Sequence, residues 1–270
     1  MGELGNSESI LHAAAERETV DNWDQHWEQF SDASVAHNPG VRYRVRLITR
    51  FVAREVRSGR RKVLDVGSGV GDLAHALSEA APSAKVRGLE LSATGVRIAS
   101  GRVPDAVFHQ FDLMSGDRLP DGWDEWADVA VCSEVLEHLD EPVVFLRTLG
   151  AALCHGGLLL VTVPGGPRSA FDRHIGHRRH YTRQSLRELL TAAGFDVREV
   201  RAAGFPFFNL YRAMVIARGA RLVDDVSSAT ANGVAVRIVG AAFDGLFRAN
   251  LPRTPFGWQL VAVATRTGGQ

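Results

Sequence analysis

Lys62-Val63-Leu64-Asp65-Val66-Gly67-Ser68-Gly69-Val70-Gly71-Asp72 decides the fold of this chain. The apolar, β-branched run at its start reads as a buried strand. Three glycines at alternate positions follow, and then a helical pattern. Strand, tight turn and helix therefore follow one another. Without Cβ atoms the turn can bend sharply and lie against a ligand. A second short strand, Lys85-Val86-Arg87-Gly88-Leu89-Glu90, ends in an acid. That acid falls about where a nucleotide-binding βαβ unit needs one to reach a ribose hydroxyl pair. The glycines are spaced G-x-G-x-G after Asp65, not G-x-G-x-x-G as in dinucleotide sites.

Outward from this unit the pattern alternates. A helix over about Asp72–Ala81 leads to the second strand, and another helix spans Ala93–Arg102. Further strands are expected at Ala106–Phe111, Ala127–Cys132 and Leu158–Val163, the last entered by a Gly156-Gly157 turn and stopped by Pro164. A helix over Glu141–Cys154 separates the latter two. Strand-helix repetition implies a doubly wound α/β fold, a parallel sheet with helices on both faces. Residues 164–181 read as a loop rich in Gly, Arg and His, followed by a Thr182-led helix and a sixth strand, Phe195–Val200. The last strand is Gln259–Thr265. The long connection before it, with helical periodicity at Tyr211–Val223 and Val234–Phe247, should be a structured insertion.

At the other end, Trp23, His26, Trp27 and Phe30 recur on one face of a short helix, suited to capping a core or covering a ligand. Asn38-Pro39-Gly40 is expected to interrupt the chain before an amphipathic helix over Val41–Val56. Four segments result: an N-terminal helical lid (1–58), a ligand-binding core (59–204), a helical insertion shaping an acceptor pocket (205–258) and the final core strand (259–270).

The 270 residues suffice for one full α/β core. Zero formal net charge argues against general nucleic-acid binding. Cys132 and Cys154 sit in apolar runs and are expected as reduced core residues in a reducing, cytoplasmic compartment. No basic-then-apolar start suggests a signal peptide, and no apolar run is long enough to span a bilayer.

Five blocks in order resemble class I S-adenosylmethionine-dependent methyltransferases: Leu64–Gly71, Gly88–Ser92, Gln110–Leu113, Cys132–Leu139 and Gly156–Leu160. The block Gly176–Thr182, followed by a helix and Ala193-Gly194-Phe195, is similar to small-molecule and polysaccharide-cluster members. The resemblance implies a Rossmann-like sheet of seven strands with the last antiparallel, and S-adenosylmethionine as cofactor. It assigns the cofactor's amino-acid tail to Asp65, Gly67, Ser68, Gly69 and Gly71, and its ribose to Glu90. Leu91, Asp112 and Leu113 are expected at the adenine, with Ser133 and Glu134 below the sulfonium. The insertion departs from the minimal fold and leaves the acceptor open.

Transfer to a hydroxyl, the expected reaction in a biosynthetic pathway, needs a proton acceptor. His138 and His177 are both candidates. Arg179 and Tyr181 in the basic loop and Trp23 on the lid are expected to meet a small acceptor, anionic or partly apolar. The exposed-looking Phe205-Pro206-Phe207-Phe208 stretch offers core packing, a pocket wall or an oligomer contact. Glu134-x-x-Glu137-His138 resembles a cation-coordinating arrangement of ubiquinone-pathway O-methyltransferases. A hydrogen-bonding role is the preferred reading and no metal is assigned. His174, His177 and His180 lack a carboxylate in register and are not read as a metal site. Competing functions are a non-catalytic cofactor-binding module on the same fold and an NAD-dependent oxidoreductase. The latter is disfavoured by the glycine spacing.

Overall fold

The structure, a computed structural model, describes residues 22–30, 38–219 and 234–267. Among them seven strands form one sheet: β1 (Lys62–Val66), β2 (Lys85–Glu90), β3 (Val107–Gln110), β4 (Ala127–Ser133), β5 (Leu153–Pro164), β6 (Phe195–Ala203) and β7 (Gln259–Arg266). Their order is β3-β2-β1-β4-β5-β7-β6, with β7 antiparallel to both β5 and β6. Chain order reverses between β1 and β4, so the glycine turn after β1 lies at the switch point where such sheets bind ligands.

Period-two alternation divides the strand side chains between two apolar layers. Leu64, Ala130, Cys132, Leu159 and Val161 face one layer, which includes Leu146 and Leu149 of α5 (Pro142–Ala152) and Leu186 and Leu190 of α7 (Arg183–Ala192). Val63, Val129, Val131, Leu158 and Leu160 face the other, with Ile48 and Val52 of α2 (Pro39–Arg57) and Leu73 and Leu77 of α3 (Asp72–Ala80). α4 (Ala93–Arg102) follows β2. No helix among the described residues is long and apolar enough to cross a membrane.

Several boundaries differ from expectation for local reasons. Asn38-Pro39-Gly40 starts α2 instead of breaking the chain. Asn38 Oδ1 accepts from Gly40 N (2.8 Å), and Pro39 sits at the first helical turn, where its missing N–H costs nothing. α2 packs against the sheet through Ile48, Val52 and Val56. α5 stops at Ala152 because β5 begins at Leu153. The register shift between Ala127 and Val129 lets β5 run through Gly156, at φ 72°, and Gly157. The basic loop contains a short helix, α6 (Ala170–His174), closed by a Ser169–Asp172 capping box. Cys132 is buried, but Cys154 is only half-buried and its thiol faces Asp128 (3.8 Å); both are free.

In the insertion, α8 (Phe207–Arg218) and α9 (Val234–Leu246) pack on α2 through Tyr43, Phe208, Phe243 and Phe247. Phe208 is therefore core, whereas Phe205 stays 36% exposed beside Phe256. Residues 1–20 and 220–223 of the expected elements lie outside the described residues. α1 (Trp23–Phe30), capped by Asn22, meets α4.

Candidate functional site

Gly67, Gly69 and Gly71 all have positive φ (70°, 53° and 82°). At Gly67 a Cβ would lie 2.5 Å from Val135 Cγ2, and at Gly69 2.8 Å from Trp27 Cζ2. The turn thus requires glycine for both conformation and space. Four of its amides are already engaged within the protein. Gly67 and Ser68 N–H donate to Leu89 O (2.8 and 3.2 Å), Gly71 N–H to Ser68 O (2.9 Å) and Gly69 N–H to Glu90 Oε2 (2.7 Å). Glu90 Oε1 accepts from Ser92 N–H (3.0 Å). What the turn leaves unsatisfied are side-chain atoms: Asp65 Oδ2 and Ser68 Oγ are buried with no hydrogen-bond partner.

Asp65 is 2% exposed, and burial, Glu90 and Asp72 together push its carboxyl up to about 7. Burial also raises Glu90, against the pull of its amide donors. Two acids thus converge at the ends of β1 and β2. Asp72 is paired with Arg102 (2.7 Å). Leu91 projects 46% exposed beside them, and Asp112 is exposed with Oδ1 held by Met114 N–H (2.8 Å). Leu113, expected near adenine, is packed into the core.

α1 covers this edge. Asp24 Oδ1 accepts from Ser92 Oγ and Thr94 N–H (2.9 Å) at the start of α4. Trp27 lies over Gly69, and Trp23 meets His138 edge-on at 5.1 Å. Glu90 is consequently only 5% exposed. A cleft of about 640 Å³ lies between the basic loop and the insertion, lined by Gly166, Arg183, Phe205, Asn209, Phe256 and Trp258.

On the β4 side the chain turns through Glu134, a non-glycine residue at φ 57°. Its Oε1 accepts from Thr162 Oγ1 (3.2 Å) and Gln259 Nε2 (2.9 Å), and Oε2 lies 3.7 Å from Arg44. Ser133 Oγ pairs with Thr162 Oγ1 (2.9 Å). A 3₁₀ turn, Leu136–His138, follows. The basic loop is stitched to it: Arg178 and Arg179 N–H donate to Glu137 O (2.8 and 3.4 Å). Tyr181, expected at a substrate, is 6% exposed and donates its hydroxyl to Leu136 O (2.9 Å), which makes it an internal strut. Arg179 is half-buried and donates to Asp140 O (3.1 Å).

His138 and His177 meet with ring centroids 4.7 Å apart. One nitrogen from each and one oxygen of Glu137 lie within 4.8 Å of one another. Glu137 is fully buried, with neither oxygen hydrogen-bonded; burial and Glu134 push its acid well above the usual range. Burial and His138 push His177 down to about 3. Burial thus disfavours the charged form of both groups. The carboxylate absent from the histidine spacing is supplied in space, because Asp172 also gathers with His177 and His180. Its oxygens are already occupied by Arg212 of α8 (3.1 and 2.8 Å) and by Ser169 N–H and Oγ (both 2.7 Å). Burial opposes ionisation of Asp172, but Arg212 and Ser169 hold its carboxyl well below the usual range. The Ser169-x-x-Asp172 spacing was a local signal for this residue. Arg212, forty residues on, had none.

A family model described as a methyltransferase domain matches residues 37–200. Trans-aconitate 2-methyltransferase of Afipia carboxidovorans is 28% identical over 52% of this chain and 54% of its own length. Ubiquinone biosynthesis O-methyltransferase of Aeromonas salmonicida is 24% identical over 56% of this chain and 70% of its own. A second such enzyme, from Idiomarina loihiensis, is 33% identical over 36% of this chain and 40% of its own. The chain thus spans about half the length of several curated relatives. Among solved structures, magnesium protoporphyrin IX methyltransferase of Synechocystis with bound S-adenosylhomocysteine superposes with a TM-score of 0.50 at 16% identity, covering 84% of each chain. The [4+2]-cyclase SpnF superposes with 0.51 at 21% identity, covering 82% of this chain and 80% of its own.

The unpartnered Asp65 Oδ2 and Ser68 Oγ, beside a buried and uncompensated acid pair, suit a ligand carrying an ammonium group. Asp65→Asn tests the electrostatics without ligand. The raised folded pKa means the native state holds a proton that the unfolded chain releases. Stability of the wild type should therefore fall as pH rises from about 4 to about 7. The variant should lack that fall and gain on the order of a few kcal/mol relative to wild type above pH 7. Parallel urea-denaturation profiles across that window would contradict it. Matched family, sheet topology and site together place this chain in the class I S-adenosylmethionine-dependent methyltransferases.

Proposed function

We propose that the chain methylates a hydroxyl oxygen of a small biosynthetic acceptor, with His138 as proton acceptor and α1 as a lid. The carrying observation is the facing pair of His138 and His177 at the carboxyl edge, beside the acid cluster and beneath Trp23. The bound cofactor supplies a methyl group already made electrophilic by a sulfonium. The protein has to orient the acceptor, remove its proton and exclude water.

Asp65 and Ser68 offer polar side-chain atoms to the cofactor's amino-acid tail, on a floor built by Gly67, Gly69 and Gly71. Glu90 accepts from the ribose, with Leu91 and Asp112 on the adenine side. Ser133 and Glu134 shape the wall under the reacting carbon. The relatives' names point to methylation of trans-aconitate and to oxygen methylation in ubiquinone biosynthesis. His177, neutral and with Nδ1 already engaged, suits hydrogen-bond acceptance better than proton storage. His138 carries the base role because it is half-buried and borders the lid. The cleft between the basic loop and the insertion, with Phe205, Phe256, Trp258 and Arg183 on its walls, fits a partly apolar acceptor bearing an anionic group.

The cyclase neighbour favours a second reading, in which the fold binds the cofactor without transferring methyl. Release of S-adenosylhomocysteine from S-adenosylmethionine with a panel of phenols and hydroxy acids separates the two. His138→Ala should cut that release by about 10²-fold or more at saturating cofactor. Full turnover in the variant rejects His138 as base. Absence of turnover with tight cofactor binding supports the second reading.

Glu90→Ala should weaken S-adenosylhomocysteine binding by about 1–3 kcal/mol, read by calorimetry; unchanged affinity rejects the ribose assignment. Asp24→Ala removes the hook of α1 on α4. Cofactor association, followed by stopped-flow tryptophan fluorescence, should quicken by roughly 2–10-fold, one or two modest hydrogen bonds' worth. Unaltered association would show that α1 does not gate the site.

A further inference from the structure

His180 is not among the residues given a role by the motifs, yet it sits between the backbone and His177. Its side chain is 6% exposed. Nδ1 of His180 lies 3.0 Å from Gly166 O, and Nε2 lies 3.2 Å from Nδ1 of His177. A carbonyl oxygen has no hydrogen to give, so the proton in the first contact belongs to His180 Nδ1. In neutral imidazole the other nitrogen is then a bare acceptor. His177 must supply the proton of the second contact from its own Nδ1. Its remaining lone pair is left on Nε2, on the side of Glu137, whose Oε1 is 3.9 Å away.

This chain of reasoning needs His180 neutral, and the surrounding charges agree. Asp172 is the one carboxylate near both rings on the loop side, at 3.9 Å from His177 Nδ1 and 3.8 Å from His180 Nε2. Its charge is matched by the paired contacts of Arg212, and Ser169 takes further acceptor capacity. No excess negative charge remains there to hold an imidazolium.

We propose that His180 is a positioning residue: anchored on the Gly166 carbonyl, it fixes His177 as the Nδ1–H tautomer and presents the Nε2 lone pair to the Glu137–His138 side of the site. The role deepens the methyl-transfer reading, in which His138 takes the acceptor's proton. A lone pair facing His138 favours the imidazolium that results, whereas an N–H there would oppose it. The arrangement resembles the logic of a catalytic triad, with a backbone carbonyl as the final orienter.

Two-bond ¹H–¹⁵N correlation spectra of the ¹⁵N-labelled full chain at neutral pH test this directly, because protonated and bare ring nitrogens resonate far apart. His177→Gln and His180→Gln variants assign the signals. Both rings should show the proton on Nδ1 and a bare Nε2. A wild-type spectrum with the His177 proton on Nε2, or with His180 doubly protonated, overturns the proposal whether or not any variant folds. His180→Phe keeps a ring but has no nitrogen, and should shift the His177 signals away from the pure Nδ1–H pattern. His180→Gln keeps an acceptor and a donor, and should restore it. An unchanged His177 pattern in a folded His180→Phe chain also overturns the proposal. Should His138→Ala retain full methyl transfer, the base assignment fails while these tautomers stand, so the two failures are told apart.

Discussion

One carboxylate organises the cofactor edge of this molecule. Glu90 takes the N–H of Gly69 on one oxygen and that of Ser92 on the other, at 2.7 and 3.0 Å. It thereby ties the turn after β1, the end of β2 and the start of α4 into a single corner. The tie demands glycine at position 69, whose left-handed backbone aims the amide at Glu90 and whose missing Cβ admits Trp27. It also forces a second acid, Asp65, into the same buried volume. Burying carboxylates without a cation costs free energy, and one response is to hold a proton, as Asp65 does. A cationic ligand removes that cost when it binds. The electrostatic cost of the corner and its suitability for a charged methyl donor are two aspects of one arrangement.

The opposite half of the site is built on backbone carbonyls. Those of Glu137, Leu136 and Gly166 receive, in turn, the amides of the basic loop, the hydroxyl of Tyr181 and the ring of His180. The basic loop also closes on itself through Arg168, which donates to His177 O (3.0 Å). Several arginines that give the loop its basic composition are therefore internal struts. Arg212 enters from the insertion and satisfies Asp172 beneath the histidines. An element that distinguishes this chain from the minimal fold is thus bonded directly to the loop carrying His177.

The doubly wound core was legible because both of its signals are local. Alternating apolar residues set the faces of each strand, and glycines with acids at strand ends marked the corner at Asp65, the glycine turn and Glu90. Errors arose where one residue type serves two purposes. Asn38-Pro39-Gly40 reads equally as a chain break and as a capped helix start, and only the packing of Ile48 and Val52 on the sheet selects the latter. Gly156-Gly157 reads as a turn, yet a bulge keeps it inside β5. Tyr181 looked available for a ligand because its partner, the Leu136 carbonyl, lies forty-five residues away. Composition located the histidines, but their partners Asp172 and Arg212 come together only through tertiary packing.

The closed position of α1 sets a scale for how the site opens. On the proposed assignment of Glu90 to the ribose, Trp27 covers the carboxylate, and cofactor entry would compete with the docking of α1. The hook at Asp24 consists of two hydrogen bonds at an exposed residue, each worth about 0.5–1.5 kcal/mol. The edge-on contact of Trp23 with His138 adds aromatic packing of about the same order. Together these amount to a few kcal/mol, against about 8 kcal/mol for a ligand held at micromolar affinity. Competition on that scale would lower apparent affinity by about two orders of magnitude without blocking binding. On the proposed reading the same helix would act first as a weak competitor and afterwards as a cover that excludes water.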